Sequence, residues 1–184
     1  PEHSFLMDIR EFVELPDGKI PEKLKCLDVL DGSPPCSVFS MAGVREDGWN
    51  VEKAFREVQA KQRLDDLFLY FIQVAERLKP KVVIAENVKG LITGNAKGWV
   101  NQIVGAFDAA GYSVQIFLFN AARMGVPQKR ERVFFIAHRK DLDYPKLSMA
   151  FSSKPIPFAN VREPYGKAPS EDSLAARLMK YRIP

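Results

Sequence analysis

Three short stretches of this chain carry side chains able to do covalent chemistry together. Gly32-Ser33-Pro34-Pro35-Cys36-Ser37-Val38-Phe39-Ser40 sets a thiol behind two prolines, and Ala85-Glu86-Asn87-Val88 closes an apolar run with a carboxyl group. Gln128-Lys129-Arg130-Glu131-Arg132 alternates an amide with two guanidiniums. A free cysteine is most often a small buried hydrophobe, and Cys26 is read that way. Cys36 differs, because Pro34 and Pro35 remove two backbone donors and stiffen its loop while Ser37 and Ser40 keep it polar. A thiol held on a rigid polar loop is a candidate nucleophile. A carboxylate ending a buried strand is costly unless paired or protonated, which suits Glu86 to donating a proton or a hydrogen bond. The plainer alternative is a surface glutamate beside a turn that Asn87 holds. On an extended segment Gln128, Arg130 and Arg132 share one face, a cradle for a carbonyl oxygen or a phosphate. The plainer alternative there is an edge strand protected by charge. A hydrolase-type Cys/His pair is the rival reading of Cys36, but only His3 and His138 exist, and neither has an orienting acid or amide in an obvious position.

The elements that must position these groups follow from periodicity. The run Cys26 to Leu30 alternates and leads into Gly-Ser-Pro-Pro, a short strand ending in a loop. Leu64, Leu67, Phe68, Phe71, Ala75 and Leu78 recur at helical spacing before Pro80, predicting an amphipathic helix. Lys81 to Ala85 reads as a strand buried on both faces of a parallel sheet. Asn101 to Ala110 predicts a second helix with Ile103, Val104 and Phe107 inward and Gly111 as its stop. Tyr112 to Phe119 and Arg132 to His138 predict two more strands, close enough in sequence to pair antiparallel at one edge. This alternation implies an α/β fold, a mostly parallel sheet flanked by helices. Cys36 and Glu86 then fall just beyond the carboxyl ends of strands, where open α/β sheets place their ligand crevices. After Tyr144 the pattern fades, so residues 1–144 read as the catalytic domain. Residues 145–184 read as a linker or the start of another region, with one short helix from Glu171 to Lys180.

At 184 residues, 46% of them hydrophobic and 27% charged, the composition is that of a soluble globular domain. No apolar run approaches a membrane span and no signal peptide precedes the first motif, so a cytoplasmic setting is the expectation. Two cysteines are too few for a disulfide framework, and neither has zinc-ligand company. A net charge of +4 and a pI near 9.1 are compatible with a polyanionic partner. The cations Arg123, Lys129, Arg130, Arg132 and Arg139 crowd one stretch, although a solvated face would read the same way.

Taken together, these motifs resemble the cytosine-C5 DNA methyltransferases. Pro35-Cys36-Ser37-Val38-Phe39-Ser40 is similar to that family's Pro-Cys loop, Glu86-Asn87-Val88 to its Glu-Asn-Val segment, and Gly125 through Arg132 to its Gly-Val-Pro-Gln with alternating arginines. Leu67-Phe68 and Asp8-Ile9 are similar to two further motifs, the latter at the end of an earlier strand. The resemblance covers Asp8 to Ala137 and implies a partial S-adenosylmethionine-dependent, Rossmann-like methyltransferase fold. By that resemblance Cys36 attacks C6 of a cytosine flipped out of double-stranded DNA, of restriction–modification or prophage type. Glu86 contacts N3, and Arg132, with Arg130, holds O2. Asp8 and Ile9 flank the adenine of S-adenosylmethionine, and Pro35 and Leu67 line its pocket. Ser40, Lys89 and Gln128 meet the nucleic acid. No metal is implied. The glycine-rich cofactor loop, most of the target-recognition region and the closing segment have no counterpart here, which implies a fragment, a remnant or one subunit that needs a complementary partner. Many members carry Gly-Gly-Phe-Pro-Cys-Gln where this chain has Gly-Ser-Pro-Pro-Cys-Ser, a variant resembling some phage-type and tRNA-methylating members. A tRNA cytosine methyltransferase and an inactive accessory chain therefore stand as the competing readings.

Overall fold

A computed structural model describes residues 6–35, 66–93 and 97–161. Helix α1 spans Ile9–Glu14 and strand β1 Val29–Gly32, with two short 3-10 turns between them. Helix α2 (Leu67–Leu78), strand β2 (Val82–Val88), helix α3 (Lys97–Ala109) and the strands β3 (Tyr112–Asn120) and β4 (Glu131–Arg139) follow. The strands form one sheet in the order β1-β2-β4-β3. β1 pairs parallel with β2, whereas β4 lies between β2 and β3 and is antiparallel to both. Three of the four strands therefore run one way and β4 alone is reversed. The α/β class with flanking helices and the antiparallel edge pair are as the spacing implied.

The helical stripe of α2 puts Phe68, Phe71, Ile72, Ala75 and Leu78 into the interior. Lys79 closes the helix in the left-handed region, at φ 50, its N–H donating to the Ala75 carbonyl. Pro80 then prevents continuation. Gly111 closes α3 at φ 86, a conformation that glycine adopts without strain. Ile103 and Phe107 of α3 are buried as their spacing implied, but Val104 is 36% exposed. It sits one position off the stripe that faces the sheet, and the apolar arc of α3 is narrower than expected. Phe68, Phe71, Ile72 and Ala75 of α2 and Ile103 and Phe107 of α3 meet Val83 and Ala85 of β2, Tyr112 of β3, and Val133, Phe135 and Ala137 of β4 in one core, while Leu78 packs with Ile20 and Val74. The Tyr112 hydroxyl crosses that core to the carbonyls of Pro80 (2.8 Å) and Ala75 (3.2 Å).

β2 is buried on one face only. Val83, Ala85 and Asn87 are closed off, whereas Val82, Ile84, Glu86 and Val88 are half-buried. That second face is crossed by the segment after β4. Gln115 exchanges two hydrogen bonds with the backbone of Leu147, Phe151 meets Phe119 edge-on, and Tyr144 lies against His138. Beyond Tyr144 the described chain is irregular apart from a 3-10 turn at Phe158–Asn160. The helix expected at Glu171 to Lys180 lies outside the described residues. Cys26, expected to be buried, is exposed, because β1 begins at Val29 and not at Cys26, so the residues before it belong to the turn that enters the strand. Among the described residues no helix is long and apolar enough to cross a membrane.

Candidate active site

The ladder between β1 and β2 ends with Gly32 opposite Ala85. Pro34 and Pro35 have no N–H to continue it. Side chains carry the register two residues further. The Ser33 hydroxyl donates to Glu86 Oε2 (3.1 Å), and the Asn87 amide donates to the Pro34 carbonyl (3.1 Å). Asn87 is buried, and its Oδ1 also accepts the N–H of Val88 at 2.8 Å. Asn87 thus holds more than its own turn, since it ties the loop that enters Cys36 to the neighbouring strand. Gly32 lets α2 pack closely against the end of β1, because a Cβ there would sit 2.4 Å from the ring of Phe71.

Glu86 lies inside β2, two residues before its end, and not beyond the strand. Val88 is opposite Arg132 in the β2–β4 register, so Glu86 and Arg132 are diagonal neighbours on the second face, within reach of long side chains. Arg132 Nε donates to Glu86 Oε1 at 2.8 Å, with about a quarter of each side chain exposed. Arg132 Nη1 also donates to the Glu131 carbonyl at 2.8 Å. The costly half-buried carboxylate is therefore a paired one, with one donor on each oxygen.

The alternation of Gln128, Arg130 and Arg132 does not make a single face. β4 starts only at Glu131, and the N–H of Arg130 donates to the carbonyl of Gln128 at 3.0 Å. This three-residue turn breaks the extended geometry that the alternation presupposed. Arg130 and Gln128 are exposed, and Arg132 alone meets Glu86. Lys89 Nζ pairs with Glu131 Oε2 at 3.0 Å. Cys36 and Ser40 lie outside the described residues.

On the helix side of the same strand ends opens a cavity of about 510 Å³, a size typical of small-molecule sites. Ile9 of α1, Leu67 and Phe71 of α2, and Gly32 to Pro35 line it, with Asp31 and Ser33 among mostly apolar walls. Ile9, Pro35 and Leu67 thus line one and the same cavity. Asp8 does not line it. Asp8 also does not end a strand, because its carboxylate caps α1, accepting the Arg10 N–H at 2.9 Å and pairing with the Arg10 guanidinium at 3.4 Å. Two walls of the cavity are fastened to each other by Arg77 of α2. Its guanidinium donates to the α1 carbonyls of Phe12 (3.0 Å) and Val13 (2.6 Å), to the Leu15 carbonyl beyond the helix, and to Asp17 Oδ1 (2.8 Å).

This arrangement invites comparison with known proteins. The model of the family described as C-5 cytosine-specific DNA methylase matches residues 4–177. The chain belongs to that family. Among curated relatives it is 33% identical over 174 residues to the type II methyltransferase M.BspRI of Lysinibacillus sphaericus, covering 90% of this chain and 35% of the relative. It is 38% identical over 117 residues to the type II methyltransferase M.NgoFVII of Neisseria gonorrhoeae, covering 64% of this chain and 28% of that one. The chain thus spans about a third of the length of the curated relatives it matches. A solved structure, a prophage-encoded DNA modification methyltransferase of E. coli, superposes with a TM-score of 0.61 at 20% identity, over 88% of this chain and 42% of the other. That likeness speaks for the fold.

Three contributors to this candidate site were not read from the sequence. Ser33 figured only as part of the Gly-Ser-Pro-Pro stretch. Asn87 was given a local turn. Arg77 was not singled out, since a guanidinium that meets carbonyls some sixty positions away leaves no local pattern. The one available signal for Ser33 and Asn87 was register: once β1 and β2 are paired, they fall opposite Glu86 and Pro34.

Proposed function

We propose that this chain supplies the base-handling part of a DNA cytosine-C5 methyltransferase. The observation that carries the reading is the Glu86–Arg132 pair, tied through Ser33 to the loop that leads, within three residues, to Cys36. Cytosine C5 is a poor nucleophile, so the chemistry needs a thiolate to add at C6. Cys36 supplies that thiolate. Glu86, taking up a proton as the base binds, donates it to ring N3 as the C5=C6 electron pair moves to C4=C5, while Arg132, already anchored by Glu86 and the Glu131 carbonyl, holds O2. Loss of the C5 proton after methyl transfer expels Cys36 and restores the ring. These groups cannot reach a stacked base, so the nucleotide is flipped out of the duplex at a cost of a few kcal/mol.

The mostly apolar cavity beside Pro35 fits the adenosyl part of S-adenosylmethionine, with Ile9, Leu67 and Pro35 as its walls. When bound there, S-adenosylmethionine is the methyl donor. Asp8 would have to release Arg10 to meet the adenine, which makes it the weakest member of that set. Exposed Arg130 and Gln128 are suited to the nucleic acid beside the flipped base. Lys89 reaches a phosphate only by exchanging Glu131 for it. Ser40 keeps its phosphate role by resemblance alone. The remaining length of the family, in the same polypeptide or in a complementary subunit, completes the cofactor and recognition regions. The setting is cytoplasmic.

The test is covalent capture. A duplex and a folded RNA carrying 5-fluorocytosine are each offered to this chain with S-adenosylmethionine, with and without the remaining family segments supplied. The reading expects an adduct with the duplex that Cys36→Ala abolishes. Preferential capture of the RNA would move the substrate to tRNA, and an adduct surviving Cys36→Ala would remove Cys36 from the mechanism.

A further inference from the structure

We infer that Ser33 is a positioning residue that fixes the carboxylate plane of Glu86, an inference that rests on the function proposed above. The terminal torsion of a glutamate is soft and broad, so one donor does not set the direction of its remaining lone pairs. Two donors from different strands do. Arg132 Nε reaches Oε1 from β4 at 2.8 Å, and the Ser33 hydroxyl reaches Oε2 from the end of β1 at 3.1 Å. Ser33 stands just past the last paired residue of the ladder, and the two prolines that follow it have no backbone donor to continue the pairing. Its hydroxyl therefore links the loop that carries the thiol with the carboxylate that faces the base. A glycine there, as in the loop of many members, leaves Glu86 with Arg132 alone. Because Ser33 is exposed, water competes for the same oxygen. The contribution is accordingly one of aim, and stability is not where it shows.

The test uses Ser33→Ala and Ser33→Thr, the second restoring the hydroxyl with a methyl group that the exposed position accommodates. In the chain labelled at glutamate side-chain carboxyl carbons, the Glu86 resonance is assigned through Glu86→Gln. It is expected to move in Ser33→Ala and return in Ser33→Thr. The rate of 5-fluorocytosine capture at saturating duplex is expected to fall about 3- to 10-fold in Ser33→Ala, the worth of one ordinary net hydrogen bond for which water competes. The half-saturating duplex concentration should stay unchanged and the rate should recover in Ser33→Thr. An unmoved Glu86 resonance overturns the inference, and so does an unmoved capture rate. A wild-type chain that captures nothing with all segments supplied counts against the proposed function, and the resonance then decides the role of Ser33 by itself.

Discussion

The Glu86–Arg132 pair should behave as a coupled unit whose coupling can be measured without any activity. At a charge separation of about 4 Å and an effective dielectric of about 20, two unit charges attract by about 4 kcal/mol. Desolvation of two groups, each about three-quarters covered, offsets much of this. A net coupling of about 1–2 kcal/mol remains, between the values for exposed and fully buried pairs. The perturbations are Glu86→Gln and Arg132→Met, which remove charge with little change in length, together with the double variant. For a chain of this size about 1 kcal/mol moves the midpoint of thermal unfolding by roughly 2–4 °C. Arg132→Met should lower it by roughly 3–6 °C, because it strands a half-buried carboxylate with only Ser33 as donor. The double variant should be less destabilised than the two single losses added, by about 1–2 kcal/mol in urea titrations analysed as a cycle. Additivity within about 0.3 kcal/mol would show that the two side chains do not hold each other, and the geometric basis of the site would be lost.

Three other outcomes follow from the same structure. Gly32→Ala forces a methyl group against the buried Phe71 ring at 2.4 Å and should cost about 1–3 kcal/mol in urea unfolding; a neutral result would mean that the loop and α2 are not packed as described. Asn87→Ala strands the Pro34 carbonyl and removes a cap on the Val88 N–H, with an expected loss of about 1–3 kcal/mol; hydrogen exchange should quicken at Val88, and unchanged exchange would contradict the anchoring role. Burial pushes the Tyr112 phenol up to about 12, so the folded state holds its proton while the unfolded chain releases it near pH 10. The corresponding stability is fully present below about pH 10 and is lost as pH rises toward 12, by about 2–3 kcal/mol at the upper end. Urea midpoints between pH 8 and 12 should fall more steeply for wild type than for Tyr112→Phe, and parallel curves would refute the assignment.

What could be read from the residues was the part governed by local pattern. The stripe of α2 and the apolar run of β2 announced themselves through spacing, as did the stop at Gly111, because each depends on neighbours a few positions away. The pairing of Glu86 with Arg132 was not visible in that way. It arises from register across two strands, and only the resemblance brought these residues to one place beforehand. Gln128 and Arg130 show the opposite failure: their alternation implied a strand, but a turn of three residues precedes β4, and periodicity does not sense where a ladder begins. Cys26 was misplaced for the same reason, since the strand it was assigned to starts three residues later. Val104 shows how a helical stripe can be read one residue too wide. Arg77 lay beyond sequence reasoning because guanidinium contacts over sixty positions have no signature in the chain, and Ser33 becomes legible only once β1 and β2 are set in register.

In the proposed reaction Cys36 bonds to a pyrimidine held by Glu86 and Arg132. Its most direct test is peptide mapping by mass spectrometry of the adduct formed with a 5-fluorocytosine duplex, with exposed Cys26 as the internal control thiol. The nucleotide is expected on the Cys36 peptide alone, with yield sharply reduced in Glu86→Gln and Arg132→Met. Attachment to Cys26, or full yield in both variants, would contradict it.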